Sequence, residues 1–333
     1  MNEINDKKEI NFSINVIKCL AIFSVIIIHC GIFSLGRKGT VIEGLARFAV
    51  PFFFLISGYY SYYKLNNKSM MKYKERIIRL TKLLIISSIL FIIFNFFIFQ
   101  KLDINNVNLL KQAFNIIIFD NYFYGGHLWF IGALIYCYIF YYLLGKFKID
   151  FKNIYIYIPI LLIICLLLSE FAKNIGISIP NYYYRNFLFM GLPFFSIGHF
   201  IHHYQENFLE DISNKPLILT VLGACFLIMI EVLHVGMVSI YVGTTILSIS
   251  IFLWCVKNPN KLKKFRISGF IGGRLYTSMY ILHFLILLYF QVNSISLGYF
   301  APIAIFIITA VISYIIYLIK LIFKNLNKKY SVF

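Results

Sequence analysis

Apolar residues fill the chain in long blocks that short polar stretches punctuate. Ten of these blocks approach or reach the roughly 20 residues a spanning helix needs. They lie at about 12–35, 44–63, 83–99, 127–145, 154–170, 187–203, 216–233, 237–256, 269–291 and 300–322. The pattern predicts an all-α fold, a polytopic transmembrane helical bundle of about ten helices, with the boundaries of the seventh and eighth the least sharply marked. The first block is too long for a signal-peptide core and lacks a small-residue cleavage site, so it reads as a retained helix. No Pro-, Gly- or Ser-rich linker and no internal repeat divides the chain. A single membrane domain over residues 1–333 is expected, opened by a short cytoplasmic segment, 1–11, and carrying no soluble extracytoplasmic domain.

Composition sharpens this picture. With 60% hydrophobic, 19% aromatic and 13% charged residues in 333, the chain is too apolar for a soluble enzyme, a disordered chain or a disulfide scaffold. The net charge of +18 does not point to nucleic acid, because the basic residues sit between apolar blocks rather than along one face of a soluble domain. Placed that way they set topology. Lys72, Lys74, Arg76, Arg79, Lys82, Lys146, Lys148, Lys257, Lys263 and Lys264 fall on one side, with few cations such as Arg37, Lys111 and Arg185 on the other, predicting N-in, C-in. The six cysteines lie inside apolar blocks without CxxC spacing and read as small buried hydrophobes. Neither a disulfide nor a metal site is expected.

Ionisable groups at bilayer depth are expensive, so each is a functional candidate. Lys18, His29, Arg47, Glu231, Arg274 and His283 qualify. Lys18 and His29 are eleven residues apart, close to three helical turns, so they share one face about 16 Å apart along the axis. Histidine is the usual general base near neutral pH, although His29 alone would equally suit a bridge between helices. Lys18, two turns into its helix, would equally suit snorkelling to the inner interface. The second block carries Arg47, Pro51 and the Ser57–Gly58 pair, which fit either a cavity wall or close packing. Arg76 and Arg79, three apart, present neighbouring guanidiniums if helical, a surface suited to phosphate. Inner loops carry basic residues regardless. His199, His202 and His203 fit a solvated interfacial face better than a metal cluster. Glu231 and His234 read either as a pair or as a span boundary.

Taken in order, these segments resemble one family. Lys18-x10-His29 is similar to the Arg/Lys-x10-His signature of the acyltransferase-3 integral membrane O-acyltransferases. Arg47 through VPFFFLISGYY resembles that family's second motif, and Arg76-Ile77-Ile78-Arg79 its RxxR. GGHLWFIGAL at 125–134 resembles its His-x-Trp-Phe segment and LYTSMYILHF at 275–284 its late Ser-x-x-Tyr-x-x-His helix. The resemblance is to stand-alone members such as polysaccharide O-acetyltransferases. It implies transfer of an acyl group, usually acetyl, from cytoplasmic acyl-CoA (acetyl-CoA) to a hydroxyl of a cell-surface or lipid-linked glycan, in the cytoplasmic membrane of a bacterium. Carried over, His29 is the catalytic histidine and Lys18 its partner. Arg76 and Arg79, with Arg47 and Ser57, fall on the donor side, and His127, Trp129, Tyr280 and His283 on the acceptor side. Lys18 departs from the commoner Arg and lacks the planar bidentate fork. Ser57 and Tyr280 are also candidate oxyanion donors.

Two other classes compete. The same membrane domain resembles one fused to serine racemases in vancomycin-resistance systems, which suggests uptake of a small amino acid such as serine. Against that stand the missing inverted repeat and the Arg76/Arg79 pair, which a phosphate-bearing donor needs and an amino acid does not. A non-catalytic scaffold would leave the buried ionisable residues without a purpose.

Overall fold

A computed structural model describes residues 11–62, 67–98 and 108–330, and every regular element among them is helical. In chain order these are α1 (Phe12–Cys30), α2 (Arg37–Ala46), α3 (Ala49–Tyr59), α4 (Asn67–Ile93), α5 (Leu109–Phe119), α6 (Trp129–Lys146), α7 (Lys152–Tyr155), α8 (Ile158–Leu166), α9 (Ala172–Asn174), α10 (Leu192–Phe208), α11 (Asn214–Val235), α12 (Val242–Lys257), α13 (Arg266–Phe270), α14 (Tyr276–Val292) and α15 (Ala301–Tyr330). Among the described residues, π-helical turns at Phe94–Ile98, Leu167–Phe171, Phe187–Gly191 and Ile271–Leu275 extend or join them. Eight of the resulting stretches are long and apolar enough to cross a membrane. The blocks expected at 187–203 and 237–256 are also helical but fall outside those eight. Of the predicted segment 1–11, residues 1–10 lie outside the described residues, as does 99–107 of the exposed stretch expected at 100–126.

Local chemistry accounts for the helix ends that matter. Asn11 caps α1, its side-chain oxygen accepting from the Ile14 N–H at 2.9 Å, and Gly31 ends it in the left-handed region at φ 62°. The block expected to run unbroken from 44 to 63 is split at Arg47–Phe48. Pro51 has no N–H to offer the Arg47 carbonyl four residues back and its ring crowds that oxygen, so the chain breaks there. α4 begins at Asn67, well before the expected 83, because its basic first turns are helical too. Arg76 and Arg79 therefore stand on one helix with the apolar span.

The outer ring of the bundle is α4, α8, α11 and α15, whose apolar stripes, Ile85 and Ile89 or Leu222 and Phe226 for example, face outward. Lipid is as apolar as these side chains, so helix association there depends on close fit rather than hydrophobic burial. The fit is tightest between α3 and α10. A Cβ on Gly58 would lie 1.8 Å from the Phe195 carbonyl oxygen, and one on Gly198 would lie 2.0 Å from that of Leu55. The close approach expected at Ser57–Gly58 is thus another helix. One end of the bundle gathers the start of α1, the end of α3, the start of α4 and the ends of α10 and α12. Asn11 donates to the Cys255 carbonyl, Tyr73 to that of Ser61, Tyr59 to Gln205 and Lys257 to the Leu209 carbonyl. This is the basic end.

Candidate active site

One face of α4, formed by Arg76, Leu80, Leu83, Ser87 and Phe91 at three- and four-residue steps, leads from the basic end to the centre of the bundle. Arg76 donates to the Tyr138 hydroxyl at 3.0 Å and to the Tyr60 carbonyl at 3.3 Å. A turn further along, Leu80 and Leu83 border a mostly apolar cavity of about 100 Å³, together with Lys18, Ser57, Phe130 and Tyr280. Lys18 is buried, its Nζ 4.1 Å above the centre of the Tyr276 ring. It points into the bundle and does not snorkel. Ser57 donates to the Phe53 carbonyl at 2.8 Å. Tyr280, which also lines this cavity, donates to the His127 carbonyl. Both hydroxyl protons considered for an oxyanion are thus already engaged.

Beyond Tyr280 three imidazoles converge from three helices or their ends. The His29 ring centre lies 5.3 Å from that of His283 and 6.3 Å from that of His127, and the last two are 5.6 Å apart. Phe284 stacks on His127 at 4.6 Å and Phe91 packs edge-on against it at 4.6 Å. His283 Nδ1 contacts the Met279 carbonyl at 3.1 Å. A carbonyl only accepts, so Nδ1 carries the hydrogen and Nε2 keeps its lone pair. That Nε2, and both ring nitrogens of His127, are buried without a partner in the protein. Buried polar atoms are normally answered, so three unanswered nitrogens around the partly exposed His29 mark a centre built to hold something polar.

Beside this cluster lie two arginines, both near enough to act on His29. Arg47 is ion-paired with the buried Glu43 at 2.7 Å, and Glu43 also accepts from the Phe33 N–H at 3.3 Å. Arg185 lies over Trp129, its Cζ 5.3 Å from the ring centre. Trp129 is 5% exposed and His127 1%, so in this conformation neither offers an open face to a sugar ring. Asp120 is fully buried, with one oxygen accepting from the Phe187 N–H at 3.0 Å. It lies outside the spans, and burial pushes its carboxyl up to about 7.

The structure brings His29, His127, His283 and Tyr280 together, and places Lys18, Ser57 and Tyr280 on one cavity. It separates Arg47 from Arg76 and Arg79. Arg47 precedes α3 and Arg76 meets its far end at Tyr60, about 20 Å along the axis, so Arg47 shares no site with the expected phosphate-binding pair. Arg79 and Arg274 are exposed on the surface of the bundle, Arg274 within the apolar stretch Arg266–Val292. His199 is fully buried against Tyr141 with Nδ1 2.7 Å from the Tyr155 hydroxyl, not on a solvated face. Glu231 bonds the Gly243 N–H while His234 is exposed, so they do not pair. Sequence reasoning passed over Glu43, Asp120 and Arg185. The four-residue Glu43–Arg47 spacing is an ion-pair signal; Asp120 and Arg185 lie in irregular segments without one.

An all-helical membrane protein with a polar centre inside its bundle is the class these observations define. A family model described as an acyltransferase domain matches residues 11–321, and the chain belongs to that family, acyltransferase-3. It is an acyltransferase of the membrane. No curated protein and no solved structure matches the chain.

Proposed function

We propose that the chain carries an acyl group, acetyl in the first instance, from acyl-CoA on the cytoplasmic side to a hydroxyl of a cell-surface or lipid-linked glycan, in a bacterial cytoplasmic membrane. The observation that carries this reading is the meeting of three imidazoles just beyond the cavity that begins near Arg76. The basic end is taken as cytoplasmic on the positive-inside rule. A coenzyme A head is rich in phosphate, and Arg76 and Arg79 suit it. The cavity, at about 100 Å³, holds the acetyl-thioester tip and not the whole pantetheine arm, so the arm parts the side chains at the basic mouth as it enters.

Transfer then needs one proton to move twice. His29 takes the proton of the acceptor hydroxyl as that oxygen attacks the thioester carbonyl. The tetrahedral intermediate collapses, the carbon–sulfur bond breaks, and the imidazolium returns the proton to the departing thiolate. The products are the glycan ester and free coenzyme A. Lys18, held over Tyr276, keeps positive charge beside the path of the donor. Binding of labelled acetyl-CoA to the purified protein in detergent tests the assignment. Arg76→Ala is expected to weaken donor binding about tenfold, the order of one charge-assisted contact, whereas His29→Ala binds normally. Equal donor binding by wild type and Arg76→Ala would remove the arginine from this role.

A further inference from the structure

The transfer written above leaves the two arginines beside the histidines without a task. Arg185 sits between a 3-10 turn, Asn181–Tyr183, and the π-helical turn Phe187–Gly191, with its guanidinium over Trp129. Its Nε is buried and has no partner in the protein, and the same holds for the Nε of Arg47. The two charges act on each other and both act on His29. Burial, with the charge of Arg47 behind it, pulls the Arg185 guanidinium down to about 10. Glu43 answers Arg47, and among the described residues that is the one ion pair. Asp120 does not answer Arg185: its Oδ2 takes the Phe187 N–H and its Oδ1 lies against Gly132. Two guanidiniums thus stand beside one carboxylate, close enough to His29 to act on it. Arg185 is part-buried, no carboxylate among the described residues pairs with it, and a planar guanidinium fork fits a carboxylate or a phosphate.

We propose that Arg185, backed by Arg47, holds an anionic group of the acceptor, so that the enzyme selects sugars bearing a carboxylate or a phosphate near the hydroxyl it acylates. This rests on the reading of His29 as the point of transfer. Trp129 is one of two tryptophans in the chain, so in a Trp254→Phe background its fluorescence reports directly on Arg185. Methyl glucuronide, glucose 1-phosphate and methyl glucoside, titrated at equal ionic strength, separate the carboxylate, phosphate and neutral cases. A saturable emission change with at least one of the acids and none with the neutral sugar is expected. Arg185→Gln should weaken that response at least tenfold and Arg185→Lys less, with the melting temperature of each variant checked first.

A response to methyl glucoside equal to that of both acids, or an unaltered response in a folded Arg185→Gln, overturns the proposal. So does a transfer assay in which Arg185→Gln slows neutral and acidic acceptors by the same factor, since that is the signature of oxyanion stabilisation. The two readings fail separately. Charge-selective quenching through Arg185 without any acetyl-CoA binding would sink the donor assignment and leave the anion site standing. Donor binding with charge-blind sugars would do the reverse.

Discussion

Two regions of this bundle bury polar and ionisable groups and treat them oppositely. At the corner where α11 and the turn after α8 meet α12, both oxygens of Glu231 take the Gly243 N–H, at 3.1 and 3.0 Å, and Glu170 takes that of Val242 at 2.9 Å. Those are the first N–H groups of α12, which the helix itself leaves unbonded and which carry its positive end. A Cβ on Gly243 would lie 2.7 Å from Ile228 Cγ1 and 2.8 Å from Glu231 Oε2, so any larger residue there has to displace one or both. Around the histidines the accounting runs the other way. His283 Nε2, both nitrogens of His127 and the Nε atoms of Arg47 and Arg185 find no partner within the protein. In a membrane protein burial of a charge is therefore a poor guide to function by itself. Single unanswered atoms such as His199 Nε2 and Ser239 Oγ occur elsewhere, so what marks the histidine site is that several gather in one place.

The largest loss is expected at His29. His29→Ala should lower acetyl transfer by about 10²–10⁴-fold, the usual worth of a positioned general base, with the melting temperature essentially unchanged. The measurement is turnover of labelled acetyl-CoA into acceptor at saturating donor. A variant that keeps its rate would move the chemistry to another of the three rings. Glu231→Ala tests the opposite corner. It strands the Gly243 N–H and should cost about 1–3 kcal/mol of stability, seen as a lower thermal midpoint in detergent, while transfer per folded molecule persists. Were activity to vanish at unchanged stability, Glu231 would belong to the site and the distinction drawn above would fail.

Much of this architecture is legible in the sequence. Hydropathy placed the ten helical blocks because lipid forces backbone polar groups into helices, and the spacing of Lys18 and His29 put both on the inward face of α1. What escaped was set by three-dimensional neighbours. The basic first turns of α4 hid its true start, since cations score as loop in a hydropathy window while propagating a helix perfectly well. The break at Arg47 was legible in Pro51 only through the carbonyl four residues earlier. Arg274, which lies within the π-helical turn Ile271–Leu275, is exposed on the surface of the bundle although its flanks are apolar. The convergence of His29, His127 and His283, more than 250 residues apart in the chain at the extremes, is a tertiary fact that no local pattern encodes. Arg185 sits in an irregular segment where side-chain direction has no period to follow.

Asp120 lies outside the spans, buried against Gly132 and the Phe187 N–H, and titrates in an accessible pH range. Burial raises its carboxyl to about 7, against the Phe187 N–H that draws it down, while an unfolded aspartate titrates near 3.9. The folded state thus holds this proton more tightly. Its contribution to stability is fully present below about pH 4 and lost as pH rises through about 7. The thermal midpoint of the wild type, taken relative to Asp120→Asn, is expected to fall across that window and level off above it. A difference independent of pH would mean that this carboxyl titrates at the same pH in the folded and unfolded chain.

The smallest effect is expected at Ser57, which lines the cavity beside Lys18 and would be an obvious donor to a thioester oxyanion on proximity alone. Its hydroxyl proton points back to the Phe53 carbonyl one turn earlier, at 2.8 Å. To serve the transition state it would have to give up that bond, and the net gain of exchanging one neutral hydrogen bond for another is about 1 kcal/mol at most. Ser57→Ala should therefore change transfer by less than about fivefold, the factor that energy corresponds to, and leave donor affinity intact, because the methyl group still fills the cavity wall. Loss of two orders of magnitude with normal donor binding would show that the serine turns toward the reacting carbonyl. The satisfied hydrogen bonds of the resting bundle would then no longer separate scaffold from site.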